Sequence, residues 1–407
     1  MASPVLLMVM IDALRHDYIN ELDSPFLYSL SRNSVKAQVV PSFGFEPDGA
    51  YLAGLTPEEC DGGAQYWRKE GDKLFHFVSL MRLLDVVPSR WWRKNVRRLT
   101  RLIAQISAKD SLIRKMATSS AIPYEILDQF SMPMKKLACE EGAMPQDTLF
   151  DTVRKAKRTF FFHGYPAYKV DIKSVVDRVT KEEKGGNTLI FLFIGDLDRI
   201  GHIYGPDSDE RKDVLRKVDK GIQDIVVHLN KNYNDMDILI FGDHGMAEVK
   251  GYVDLQSIIV GSGLKETISA YFLDSTFARF WVEGEREKKY LINKLNTINN
   301  GHILNDEDID KYQIRYPHNY FGDLIFALDN HYIIHPSFYI AEGYPPKGMH
   351  GYLPGCIDNE SAALIYRAKG TDARDIGKID MRRIHSTALW LMDLYDTKKS
   401  KTEPIRP

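Results

Sequence analysis

Four separated segments place Asp and His beside glycine: Ile11-Asp12-Ala13-Leu14-Arg15, Asp196-Leu197-Asp198-Arg199-Ile200-Gly201-His202, Phe241-Gly242-Asp243-His244-Gly245-Met246 and Gly348-Met349-His350-Gly351-Tyr352. Each Asp or His follows an apolar run or sits in a glycine turn. One such residue alone says little, because an Asp at a strand end is more often a helix cap or turn residue. Histidines such as His16, His163 and His331 have no such setting at all. Together the four segments point to one convergent set. Asp12, Asp198 and Asp243 supply carboxylates, and His202, His244 and His350 supply imidazoles, enough for two adjacent divalent-ion sites. Mixed oxygen and nitrogen donors suit zinc, with manganese as the alternative. Two such ions a few ångströms apart clamp the attacking and leaving oxygens of a phosphoryl group.

These residues need rigid elements behind them. Val5–Ile11 (VLLMVMI) is a continuous apolar run of strand length that ends at Asp12. Buried parallel strands read this way because helices cover both faces. Val35–Val40, Thr188–Ile194 and Asp237–Phe241 are three further predicted strands. Ser24-Pro25 predicts a helix start. Val214, Val218, Ile222, Ile225 and Leu229 repeat at helical spacing and predict a helix over about 209–230. Strand, helix, strand at this spacing is a βαβ unit. The expected fold class is α/β: a doubly wound, mostly parallel sheet flanked by helices. In such sheets ligands bind at the carboxyl ends of the strands, where the carboxylates gather.

The chain has 407 residues, 44% of them hydrophobic, which is ample for a packed core. With 54 basic and 56 acidic side chains, the net charge of -2 argues against a nucleic-acid partner. Cys60, Cys139 and Cys356 lie far apart in sequence and form no CxxC pair, which argues against a disulfide scaffold or a thiolate zinc cluster. The first residues carry no basic region before the apolar run, and Asp12 ends that run after seven residues. The expectation is a cytoplasmic protein of a reducing compartment, of open oligomeric state.

Two regions depart from the α/β pattern. Residues 66–150 are helical and basic, and residues 250–345 mix strand-like runs (Ala270–Leu273, Phe280–Val282, Leu324–Ala327) with a helix near 285–298. Both are expected to be insertions, or caps, on a single domain spanning 1–407. Between Arg82 and Lys115 ten basic residues face only Asp85 and Asp110. The ordinary reading is a solvated helix face. Trp91, Trp92, Val96, Leu99, Leu102, Ile103 and Ile106 interleave with the arginines, and this supports a second reading. An amphipathic helix of this kind suits a peripheral contact with an anionic membrane or a lipid-like phosphate substrate. The same arginines could also grip a second phosphate.

The four segments in this order resemble the alkaline phosphatase superfamily, and most of all its nucleotide pyrophosphatase/phosphodiesterase branch. The resemblance runs from Val5 to about Leu394 and includes Ile384-His385-Ser386-Thr387-Ala388-Leu389-Trp390 as the final helix. It implies that Asp198, His202 and His350 hold one metal, and that Asp12, Asp243 and His244 hold the other. It also implies hydrolysis of a phosphoric ester, most of all a phosphodiester on a small-molecule or lipid-like substrate. Phosphomonoester or phosphonate hydrolysis, phosphotransfer and a non-catalytic metal-binding relative are the alternatives.

One position departs from the family. The resemblance places a Thr, Ser or Cys nucleophile ten residues before Gly54, and that residue is Gly44. The family's phosphate-binding Asn falls at Pro47. Three readings stay open. Ser42 supplies the hydroxyl through a local shift. A metal-bound hydroxide attacks directly, with Glu46 or Asp48 as base or extra ligand. Or the chain is not a catalyst. Retention of six costly polar groups at one sheet edge argues against the last.

Overall fold

The computed structural model describes residues 5–68, 74–84, 90–116, 122–261, 268–340 and 345–407, without the side chains of Ser79, Arg82, Leu84 and Arg90. Asp85 also lies outside the described residues. Seven strands form the central sheet, in the order Arg374–Asp380, Val35–Val40, Ser361–Tyr366, Met236–Phe241, Val5–Ile11, Leu189–Ile194 and Phe160–His163. Only Ser361–Tyr366 runs against the others. This is the mostly parallel sheet the apolar runs predict.

Val5–Ile11 lies near the middle of the sheet, so both its faces must be covered. Leu6, Met8 and Met10 pack into a core with helices Asp48–Ala53 and Arg382–Leu391. Leu7, Val9 and Ile11 enter the opposite core with helices Ile172–Glu182 and Asp209–Leu229. The period-2 alternation of a strand thus feeds two helical layers, and the sheet is doubly wound.

Three strands escape the sequence pattern. Arg374–Asp380 is an edge strand with mostly exposed, charged residues, the usual protection of a sheet edge. Phe160–His163 is only four residues long. Ser361–Tyr366 carries two alanines in place of branched side chains. Strand Phe277–Trp281 also begins earlier than its apolar run suggests.

The two regions read as separate insertions share one core. Tyr66, Phe75, Val96 and Phe130 pack against Leu255, Phe272, Trp281 and Phe338. The second region contributes a four-stranded antiparallel sheet, ordered Ala270–Leu273, Phe277–Trp281, Leu324–Leu328, Gly301–Ile303. Arg279, fully buried, pairs with Asp274 at 2.8 Å and donates to the Tyr66 carbonyl at 2.8 Å, tying one region to the other.

Helix Asp48–Ala53 leads from the functional region and ends at Gly54, whose φ of +68° is a left-handed cap. A Cβ at Gly54 would lie 2.9 Å from Nδ1 of His385. His385 is buried on the facing helix, and its Nε2 has no hydrogen-bond partner. Burial pushes its imidazole down to about 4. The folded protein therefore resists protonating this ring, whereas the unfolded chain takes up the proton near pH 6.5. Stability from this group is complete above pH 6.5 and falls as the pH drops toward 4. Between pH 7.5 and 5.0, urea unfolding of the wild type should lose ~2 kcal/mol more than that of His385→Leu. Equal losses would show that His385 titrates freely in the fold.

Candidate active site

All six expected ligands meet at the carboxyl edge of the sheet. Asp12 follows the strand Val5–Ile11, its backbone N–H donating to the Ile194 carbonyl of the neighbouring strand at 2.9 Å. Asp243 follows the strand Met236–Phe241 and accepts from the Ala13 N–H at 3.2 Å. Asp198 and His202 lie on one face of helix Asp196–Tyr204, four residues apart. His350 follows the short strand Gly348–Met349, which pairs with Ala247–Glu248. The glycines serve close approach. A Cβ at Gly348 would lie 2.6 Å from the Gly201 carbonyl oxygen, and one at Gly242 would lie 2.8 Å from the Ser361 Cβ.

The side chains form two clusters, Asp198–His202–His350 and Asp12–Asp243–His244, each with its donor atoms within 4.8 Å of one another. His202 Nε2 lies 3.1 Å and His350 Nε2 3.6 Å from the same Asp198 oxygen. His244 Nε2 lies 3.3 Å from Asp12 and 3.5 Å from Asp243. The His244 and His350 rings stack with centroids 3.6 Å apart, so the clusters are adjacent. Nδ1 of His202 is 2.8 Å from the Gly348 carbonyl, and Nδ1 of His244 is 2.8 Å from the Gly245 carbonyl. As donors to these carbonyls, the Nδ1 atoms leave each Nε2 lone pair facing a carboxylate.

Lone pair against carboxylate requires a positive charge between them. Against burial, Asp198 holds His202 above its usual range, so a proton can serve there; at His350 it serves poorly. Burial, and then His244, hold His350 well below its usual range, in the neutral form. Burial works against Asp198, yet His202 and His350 still hold its carboxyl below the usual range. Asp12 is pushed well up by burial and by Asp243, Asp198, Asp48 and Glu46. One oxygen each of Asp12 and Asp198, and His350 Nδ1, are buried without any hydrogen-bond partner. Orphaned acceptors around two nitrogen–oxygen clusters fit a pair of divalent ions.

The remaining candidates divide. Glu46 lines the same cavity as Asp12, Asp198, Asp243, His244 and His350, as does Asp48. Burial and the nearby Asp48 and Asp243 push Glu46 up to about 8. Burial pushes Asp48 up to about 6, against a hydrogen bond from the Tyr51 hydroxyl, which donates to it. Ser42 is not brought to the cluster. It lines a separate cleft with Thr56, Lys311, Asp380 and Arg382. Gly44 has no room for any side chain: its φ is +91°, and a Cβ there would lie 1.9 Å from the Gly63 carbonyl oxygen. The Phe45 N–H donates to that same oxygen at 3.0 Å, pinning the two loops together.

Two cavities meet at the clusters. One, of about 210 Å³, is walled by Met10, Met116, Met132, Met134, Phe162 and Phe193. The other, of about 560 Å³, lies on the His202 side against Ile203, Tyr339, Ile340 and Pro346. Among their described lining residues Lys136 is the one lysine or arginine. Among the described residues, Arg93, Arg97, Arg98, Arg101 and Arg114 line neither cavity, so these five have no grip on a second phosphate there. The methionine wall went unforeseen, since residues 116–134 carry no motif.

An α/β fold with two acid–histidine clusters at its strand ends has the alkaline-phosphatase-like architecture. The family model described as type I phosphodiesterase / nucleotide pyrophosphatase matches residues 6–353, and the chain belongs to that family of phosphodiester-hydrolysing enzymes. Ectonucleotide pyrophosphatase/phosphodiesterase family member 7 of Mus musculus is 24% identical over 391 residues, 90% of this chain and 77% of the relative. Its Homo sapiens counterpart is 23% identical over 265 residues, 60% of this chain and 48% of the relative. Among solved structures, an inactive variant of murine ectonucleotide pyrophosphatase/phosphodiesterase 5 in complex with AMP matches with a TM-score of 0.67 at 15% identity. That match covers 99% of this chain and 97% of the other. The human form of the same protein gives 0.63 at 16% identity, over 96% and 95% of the two chains. These structures show a shared fold.

The crowding at Gly44 is directly testable. Gly44→Ala forces a left-handed backbone and a carbonyl contact at once, so urea unfolding should show a loss of at least ~2 kcal/mol. Gly44→Thr should be no more stable and should form no phosphothreonine. Wild-type stability in either variant would mean that the loop has room for a side chain.

Proposed function

We propose that this chain hydrolyses a phosphodiester with the help of two divalent ions. Asp198, His202 and His350 would hold one, and Asp12, Asp243 and His244 the other. The observation that carries the reading is the pair of stacked clusters, in which buried acceptors face one another around His244 and His350. When bound, the ions would offset the charge of the phosphoryl oxygens and make water a better nucleophile. Zinc suits the donor set best, with manganese as the alternative.

The chain's own residues then account for the missing hydroxyl. With no side chain at Gly44 and Ser42 in another cleft, water is the attacking group. Glu46 borders both cavities and stands beside Asp48 and Asp243. With the charges of Asp48 and Asp243 beside it offset by bound ions, Glu46 stays ionised, and its carboxylate takes the proton from the water as oxygen bonds to phosphorus. The bond from phosphorus to the ester oxygen breaks, and the alcohol leaves after taking up a proton from solvent. The Tyr51 hydroxyl, donating to Asp48, fixes the second carboxylate so that it does not compete for that proton.

The cavities favour an apolar leaving group. Methionines are flexible and fit irregular apolar shapes, and among the described lining residues Lys136 is the one lysine or arginine to hold a further phosphate. A lipid-like or aryl phosphodiester fits better than a polyphosphate. The three cysteines are all free, which supports work in a reducing compartment such as the cytoplasm.

Chelated protein should be inactive on a bis-aryl phosphodiester, and zinc or manganese should restore turnover. Asp198→Asn should lose one ion per chain in metal analysis and at least ~100-fold in kcat/KM. Glu46→Gln should keep both ions and lose ~100-fold in kcat. Ser42→Ala should stay within about threefold of the wild type, since the proposed proton path omits it. A phosphoserine at Ser42, or turnover without any divalent ion, would overturn the mechanism.

A further inference from the structure

We infer that the exposed face of helix Arg90–Ser107 is a docking surface for an anionic lipid bilayer. Val96, Thr100 and Ala104, four residues apart, are buried against the cap. The Thr100 hydroxyl lies 2.7 Å from the Tyr124 hydroxyl, and the Arg97 guanidinium sits 3.7 Å over the Tyr124 ring. These contacts fix which face looks outward. On that face Trp91, Leu99, Leu102 and Ile106 form one stripe at helical spacing. They are 72%, 42%, 51% and 74% exposed. Beside the stripe, Lys94, Arg98 and Arg101 are exposed at i, i+4 and i+7. The helix contains no acidic residue. The adjoining helix Val78–Leu84 exposes Leu80 and Leu83 as well.

The chemistry of the face selects its occupant. An apolar stripe beside a basic one, with a tryptophan at its end, matches the acyl boundary and headgroups of an anionic bilayer. A second copy of this chain fits poorly, because a two-fold contact would bring Lys94, Arg98 and Arg101 against their own copies. Nucleic acid would leave the apolar stripe wet. Among the described residues no helix is long and apolar enough to cross a membrane, so the contact is interfacial. The next helix, Ser111–Met116, presents Leu112 and Met116 to the cavity at the acid–histidine clusters. A bilayer under Arg90–Ser107 would thus meet the same helical region that contributes to this cavity wall. The docking surface itself does not depend on the phosphodiesterase reading.

Co-sedimentation of the full chain with vesicles tests this without turnover. The protein should bind phosphatidylcholine vesicles containing ~30% phosphatidylserine, and at least ~10-fold more weakly without the anionic lipid or in ~0.5 M salt. Leu99→Glu/Leu102→Glu/Ile106→Glu and Lys94→Glu/Arg98→Glu/Arg101→Glu should each reduce binding by at least ~10-fold. Both variants should keep the wild-type circular dichroism and its turnover of a small soluble aryl phosphodiester. No vesicle binding by the wild type, or unchanged binding by both variants, overturns the inference. So does a wild-type dimer that the variants dissociate, since the face would then belong to a second copy. Loss of aryl ester turnover in wild type and variants alike would count against the proposed function and leave the vesicle result standing.

Discussion

The structure is organised around a repulsion. Asp12, Asp198 and Asp243, joined by Glu46 and Asp48, are crowded together at one sheet edge, Asp243 buried and the other four half-buried. Two like charges about 4 Å apart repel by roughly 4 kcal/mol at an effective dielectric of 20. Burial adds the loss of hydration. A fold retains such a cluster only if rigid elements prevent its escape and a cation offsets its charge. The two parallel strands that end at Asp12 and Asp243 are adjacent and fully covered, so neither end can swing into solvent. Helix Asp196–Tyr204 starts directly after the strand on the other side of Val5–Ile11 and carries Asp198 and His202 into the same space.

Glycine makes the crowding feasible. Gly201 and Gly348 let a helix and a short strand pass at a separation no Cβ permits, and that approach brings His350 to Asp198. Gly242 does the same between the Asp243 turn and Ser361. At Gly44 the same device has the opposite chemical result. The loop is drawn so tightly onto Gly63 that a nucleophilic side chain is sterically excluded. Backbone closeness replaces a hydroxyl with a space bordered by Glu46. The departure from the family pattern is therefore built into the loop, and a single substitution would not restore the usual residue without moving Gly63.

The central strands of the sheet and the meeting of the six candidate ligands were legible because each rests on a local signal. Buried parallel strands are continuous apolar runs, and the ligands follow them in glycine-flanked turns. Arg374–Asp380 was illegible because an edge strand is protected by the charges that disguise it. Ser361–Tyr366 was illegible because its two alanines weaken the branched apolar signal of a strand. The union of the two insertions was hidden for another reason. Tyr66 meets Arg279 across 213 residues, and no local pattern reports such a contact. The separation of Ser42 from the clusters is also tertiary. Its neighbour Phe43 is buried among Phe277, Tyr312 and Phe321, which turns the serine toward the other cleft.

The cap connects these levels. Its shared core fixes Phe130 against Phe272 and Trp281, and this holds the chain that continues to Met132 and Met134 in the cavity wall. The same core holds Val96 and Ala104, and so sets the outward face of helix Arg90–Ser107. One packing unit therefore shapes the apolar cavity wall and orients the amphipathic helix. The buried Arg279–Asp274 pair pins that unit. Removing one partner of such a pair typically costs about 3–5 kcal/mol, because the other charge stays buried alone. Arg279 also holds the Tyr66 carbonyl, so strain there passes directly to Gln65 and Ala64 in the cavity wall. The shape of the cavity wall is thus tied to the cap through packing.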